Sequence, residues 1–310
     1  MTSGWQQYER GSPSAVRFMR WAARRLGRVP ARLLLYPITL YFFVTSRQGR
    51  TASYDFLRRI LDRSPTWRDV FRHMHTFAAV ILDRVYFILG DVERFDVQVH
   101  GYSEVANKMG ERGAVMLGTH LGSFDAVRCM AIMGYSVELK VMMHYEQNQY
   151  ITQALEALNP SIAETVIPIG REDSLLQAME WVERGGCIGL LGDRVTSVRR
   201  ACQCEFLGGH ALFPTGPWWL ARRLEVPVIL FFGIYRGGKR YDIYLEELEW
   251  PEQYQDSKEI ERVLAQRYAY RVEHYVREAP YNWFNFYPFW VDGSDPNGSG
   301  IDSSGPSKGH

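Results

Sequence analysis

At 310 residues, with 46% hydrophobic and 23% charged side chains, the chain is long enough for one large α/β domain or two small ones and has a globular composition. Its formal net charge of +1 gives no global case for nucleic acid, although residues 1–32 hold seven Arg against Glu9 alone, a local balance of +6. Four Cys at uneven spacing do not suggest a disulfide framework and point to a reducing compartment.

The first expected helix lies in "SAVRFMRWAARRLGR", where Val16, Met19, Ala23 and Leu26 recur at helical spacing. No cleavable signal peptide is expected, because the first apolar run comes late and no small-residue cleavage site follows a short hydrophobic core. That run, "LLLYPITLYFFVT" at residues 33–45, has 13 residues and contains Pro37. A helical span needs about 20 apolar residues. The run therefore reads either as an element lying in the membrane interface behind a basic segment, or as a buried helix. A further helix is expected in "WRDVFRHMHTFAAVILDRVYFILG", so residues 1–90 form a helical N-terminal region associated with the membrane interface.

From about residue 95 the texture changes. "FDVQVHG" alternates like a strand and "GAVMLGTH" is a short apolar run of the kind a covered sheet uses. "FDAVRCMAIMG" predicts a helix with Ser123 as N-cap and Gly134 as its stop. Strands follow at "VELKVMM", "ETVIPIG" and "CIGLLGD", with helices at "QNQYITQALEALN" and "SLLQAMEWVERGG" between them. "PTGPWWLARRLE" opens a helix with an early Pro. "VPVILFFGIYR" and "RYDIYLEEL" make two strands around Gly237-Gly238, a hairpin signal, and a last helix spans about 258–278. The alternation predicts an α/β core over residues 91–291, with a mostly parallel sheet flanked by helices. The Gly/Ser/Pro/Asp-rich segment 292–310 is expected to be disordered. No internal repeat is found.

The stretch "MLGTHLGSFD", residues 116–125, places His120 where a strand ends and a helix is about to begin. In open α/β sheets ligands gather at the carboxyl ends of strands. Asp125, in the first turn of the helix capped by Ser123, would reach back to one imidazole nitrogen and leave the other facing a cleft. The backbone N–H groups of that helix start would face an anion or an oxyanion. H-x4-D alone is a loose pattern. On the residues themselves, a His that merely ends a strand and an Asp favoured by the helix dipole remain an open alternative.

Four blocks extend the pattern: "HLGSFD", "TVIPIGRED", "GLLGDRVTS" and "RRLEVPVILFF", together with "FLGGHALFPTGPWWLARRLEVPVI". Over roughly residues 95–290 they resemble, in order, the glycerolipid and lipid A acyltransferases of the lysophospholipid acyltransferase superfamily. The PTGP segment is most similar to the lipid A late acyltransferase branch, while "GDR" departs from the "EGT" form of the glycerolipid enzymes. The resemblance implies His120 as base and Asp125 as its catalytic partner. It also implies that Arg171 binds an anionic head group and that Asp193 and Arg194 belong to the substrate site, together with Gly122 and Ser123. It implies transfer of a fatty acyl group from an acyl carrier protein or coenzyme A thioester to a hydroxyl or amine of a lipid-like acceptor, without an acyl-enzyme, cofactor or metal. The expected location is the cytoplasmic face of the bacterial inner membrane. A thioester or lipid hydrolase using the same His–Asp pair is the competing reading, although no G-x-S-x-G elbow stands in the expected α/β core over residues 91–291. A lipid-binding membrane protein without activity is the other.

Three further features carry alternatives. Cys202, Cys204 and His210 in "CQCEFLGGH" match no zinc spacing and read as a surface loop. Arg194, Arg199 and Arg200 make a basic loop that either holds phosphate or is simply solvated. "YNWFNFYPFW", with seven aromatics in ten residues, reads as a cover packed on the sheet, an acyl-tunnel lining or an aromatic belt.

Overall fold

A computed structural model of the chain describes residues 25, 27–109, 112–130, 133–135, 137–143, 164–251 and 256–291. The expected helices in residues 14–28 and 147–159 lie wholly or largely outside the described residues, and the expected disordered segment 292–310 lies outside them.

Three helices come first: α1 (Arg28–Thr45), α2 (Arg47–Ile60) and α3 (Trp67–Ile88). Thr66 and Asp69 cap α3 reciprocally, each side chain taking the other's backbone N–H. Helix α1 buries only Ala31, Leu35 and Thr39. Between α1 and α2 the axis bends by 95°, and Ser46, at the bend, accepts the Gly49 N–H. No single described helix is long and apolar enough to cross a membrane.

The core follows as β1 (Asp96–His100), α4 (Tyr102–Met109), β2 (Val115–Gly118), α5 (Phe124–Arg128), β3 (Leu139–Met143), β4 (Val166–Pro168), α6 (Ser174–Glu183) and β5 (Cys187–Leu191). It continues with β6 (Ala201–Phe206), β7 (Gly209–Pro214), α7 (Gly216–Leu224), β8 (Val228–Gly237), β9 (Arg240–Glu247), α8 (Ser257–Glu278) and β10 (Trp290–Val291). Seven strands form one sheet in the order β1-β9-β8-β2-β5-β3-β4. All its pairings are parallel except the β8–β9 hairpin, which turns at Gly237 and Gly238, both at positive φ. A second sheet, β10-β7-β6, covers one side.

Strand β2 shows why its sequence is continuously apolar. Val115 and Leu117 enter one hydrophobic cluster with α7 and α8, while Met116 enters the other with α1, α3 and α4. A strand buried on both faces has no solvent side to mark with polar residues. Because Ala31, Leu35 and Leu82 share a cluster with Met116 and Ile229, the N-terminal helices and the sheet have one core across residue 90.

One pair of strands differs from the sequence reading. The "CQCEFLGGH" stretch is the β6–β7 hairpin rather than a surface loop, turning at Leu207 and Gly208 with φ of 49° and 69°. Glu205 faces His210 in that register, so His210 projects from the face opposite Cys202 and Cys204. Among the described residues no three His, Cys, Asp or Glu side chains gather to hold a metal.

Candidate active site

The sheet order places the site. β2 and β5 are neighbours, with Gly118 opposite Leu191, and the Gly192 N–H donates to the Gly118 carbonyl to extend the ladder past both strand ends. His120 and Asp193 each stand two residues beyond those partners, so they meet above the sheet's carboxyl edge. Asp193 Oδ1 lies 2.7 Å from His120 Nδ1. Its Oδ2 accepts from the Thr119 hydroxyl at 2.6 Å, the His120 backbone N–H at 2.9 Å and the Trp283 indole N–H at 3.2 Å. Hydrogen bonds to a charged group are each worth about 1.5–3 kcal/mol, so this carboxylate is firmly held. Burial works against its charge, but His120, Arg194 and Thr119 together keep its carboxyl well below the usual carboxylate range.

With Nδ1 facing a carboxylate, the neutral imidazole carries its proton there and leaves Nε2 unprotonated. Desolvation, then the charge of Arg194, lowers the His120 pKa, and Asp193 opposes both. The side chain keeps 26% of its surface exposed, so the buried base still has an opening.

The expectation that Asp125 orients His120 is corrected. Asp125 Oδ2 sits 2.6 Å from Arg84 Nε on α3, and Arg128 Nη1 lies 3.9 Å from Oδ1. Helix α5 packs on α3, which turns the buried carboxylate towards that helix and gives it a guanidinium as counter-ion. Asp193, expected among substrate-binding residues, takes the orienting position instead.

Gly122 and Ser123 are also reassigned. The Gly122 N–H donates to the Asn282 carbonyl at 2.8 Å and the Ser123 N–H to the Gly233 carbonyl at 2.7 Å, so neither is left for a substrate. The Ser123 hydroxyl caps α5 as expected, accepting the Ala126 N–H. The Phe284 N–H donates to the His120 carbonyl at 2.8 Å, and the loop is thereby clamped between β8 and the aromatic segment.

Arg194 follows Asp193, half-buried, with its guanidinium 6.0 Å from the Tyr287 ring. Arg199 and Arg200 are exposed. Arg171 is exposed beyond the end of β4, three strand positions from β2, or roughly 14 Å at the usual strand spacing. The structure therefore does not place it in the His120–Asp193 hydrogen-bond cluster.

Sequence reasoning missed Thr119, Trp283 and Arg84 as neighbours of the pair. Trp283 is buried among Phe56, Phe206 and Phe289, so the aromatic segment packs as a cover and hands one indole N–H to Asp193. Behind it the fully buried His73 lies 2.8 Å from both the Trp283 carbonyl and the Ser53 hydroxyl, and burial drives its pKa down to about 4.

Residues 73–291 match the family model of the bacterial lipid A biosynthesis acyltransferases. The chain belongs to that family. It is an acyltransferase acting on lipid substrates. It is also similar to the crystal structure of 1-acyl-sn-glycerophosphate (LPA) acyltransferase, PlsC, from Thermotoga maritima, at 18% identity and a TM-score of 0.38, covering 81% of this chain and 96% of that one. No curated protein matches the chain.

Proposed function

We propose that this lipid A biosynthesis family member transfers a fatty acyl group from the thioester of an acyl carrier protein or coenzyme A to a hydroxyl of a lipid acceptor, with His120 as general base. The observation that carries the reading is the His120 Nδ1 to Asp193 Oδ1 contact of 2.7 Å, which fixes the tautomer and frees Nε2. Nε2 removes the acceptor's hydroxyl proton as its oxygen attacks the thioester carbonyl carbon. The carbonyl electrons move onto oxygen and Asp193 stabilises the imidazolium. When the tetrahedral intermediate collapses, the C–S bond breaks and the departing sulfur takes the proton from Nε2. The acceptor supplies the nucleophile, so no acyl-enzyme forms. We assign the stabilisation of the oxyanion to Arg194, whose charge reaches the imidazole.

We place the reaction at the cytoplasmic face of the inner membrane. Val29, Leu33, Tyr36, Leu40 and Val44 on α1 are each more than half exposed and share one helical stripe. That stripe is the surface offered to the membrane interface.

The test is His120→Ala, assayed for acyl transfer from both thioester donors. Turnover falls about 10³-fold or more, because the base is lost, while the circular dichroism melt stays in place. Full activity in the folded variant, or release of free fatty acid by the wild type whether or not an acceptor is present, overturns the reading.

A further inference from the structure

Helix α3 brings two things to the site that the reaction as described does not use. Arg84, one quarter exposed, is held against Asp125 five residues after His120. Phe77 and Ile81 stand two turns and one turn before it on the same helical face, 37% and 41% exposed. This stripe reaches the base from both ends. The Phe77 ring lies 5.2 Å from that of Phe284, whose backbone N–H holds the His120 carbonyl. At the other end, Arg84 is close enough for its charge to act on the imidazole.

The charges beside His120 do not cancel among the described residues. Arg84 and Arg128 both stand against the one carboxylate of Asp125, which leaves that ion cluster one excess positive charge. Asp125 and Asp193 are buried and occupied. A substrate bearing one anionic group completes the balance, and an apolar track of about 10 Å along the helix leads away from it.

We propose that Arg84 receives the anionic head of the lipid acceptor while its acyl chain lies along Phe77 and Ile81, with Asp125 as the positioning residue that holds the guanidinium in place. The assignment rests on the acyl-transfer reading but is tested by binding, without turnover. Arginine suits the task because Asp125 holds the guanidinium at Nε while a quarter of the side chain stays exposed, and a guanidinium matches phosphate or carboxylate oxygens. The arrangement explains why an acid stands in the first turn of α5 although the imidazole has its partner elsewhere.

The probes are lysophosphatidic acid, a monoacylglycerol of the same chain length and palmitoyl-coenzyme A, titrated against the full chain by calorimetry. The wild type binds lysophosphatidic acid at least 10-fold more tightly than the monoacylglycerol. Arg84→Gln leaves buried Asp125 without its main counter-ion, so the informative variant is Arg84→Gln/Asp125→Asn, which removes both charges together. It binds the two lipids equally and palmitoyl-coenzyme A as before. Ile81→Ser weakens both lipids alike, severalfold.

A wild type that does not discriminate, or discrimination that survives in the folded double variant, overturns the proposal. So does loss of palmitoyl-coenzyme A binding with lipid discrimination intact, since Arg84 would then serve the donor. Binding as expected with no acyl transfer from any thioester fails the catalytic reading and leaves the binding result standing.

Discussion

At the scale of single residues, two carboxylates compete for the partner's role beside His120, and geometry separates them. Asp193 touches Nδ1 at 2.7 Å, whereas Asp125 is bound to Arg84 at 2.6 Å. Asp193→Asn therefore removes the group that fixes the tautomer and stabilises the imidazolium. The turnover number falls by about 10³–10⁴-fold, the scale seen when a His-orienting Asp is replaced in a triad. Asp125→Asn leaves the imidazole pair intact, so turnover stays within about 10-fold. The acceptor KM rises instead, and stability falls by about 1–3 kcal/mol as the buried ion pair is weakened. Kinetics and urea melts of the two variants distinguish these outcomes, and an equal collapse of turnover in a folded Asp125→Asn would return the partner's role to Asp125. The pH profile adds a sign. With His120 as the proposed base, activity needs its neutral form; desolvation and Arg194 lower its pKa, so the acid limb lies below that of a free imidazole. Asp193 raises this pKa, and its removal moves the limb lower still.

At the scale of elements, the β2–α5 connection depends on backbone fit. Gly122 has φ of +65°, and a Cβ there would fall 2.0 Å from the Gly233 carbonyl oxygen. Gly122→Ala thus adds a left-handed penalty of about 1–2 kcal/mol to a clash with main chain that cannot rotate aside. The expected loss is about 3 kcal/mol in a urea titration, with activity reduced as His120 shifts. An unchanged midpoint would mean that the Gly122–Gly233 bridge is absent in solution. The same connection shows what the sequence made legible. The strand, the N-cap and the placement of His120 follow from apolar runs and local turn chemistry, which act within a few residues. The β6–β7 hairpin did not, because Leu207 takes a left-handed turn position that only glycine normally advertises. Asp193 and Arg84 did not either. They lie 73 residues after His120 and 41 before Asp125, and what joins them is strand order and helix packing, neither of which leaves a local pattern.

At the scale of the whole molecule, α1 is fixed from beneath and left bare outside. Asp83, fully buried, accepts from Arg28 Nε at 2.7 Å, Arg32 Nη2 at 2.8 Å and the Tyr241 hydroxyl at 2.9 Å, which anchors the helix to the β8–β9 hairpin. Its outward stripe, with Leu33 at 66% and Leu40 at 53% exposure, is therefore presented rigidly. Immersing a leucine side chain in an apolar phase gains about 2 kcal/mol, whereas a carboxylate at the same depth resists entry. Leu33→Glu/Leu40→Glu is expected to reduce partitioning onto anionic phospholipid vesicles at least 10-fold in a flotation assay. Neither side chain is packed in the core, so the melting temperature and acyl transfer in detergent micelles stay near wild type. Arg10, Arg17, Arg20, Arg24 and Arg25 add an electrostatic part that salt of about 0.5 M screens. Binding that salt abolishes and the double substitution leaves untouched would assign membrane attachment to those basic residues and remove α1 from the interface. Binding lost to the substitution at either salt concentration assigns it to the α1 stripe. In that case the exposed Phe77–Ile81–Arg84 face of α3, a helix that itself contacts α1, opens beside the surface from which a lipid acceptor arrives.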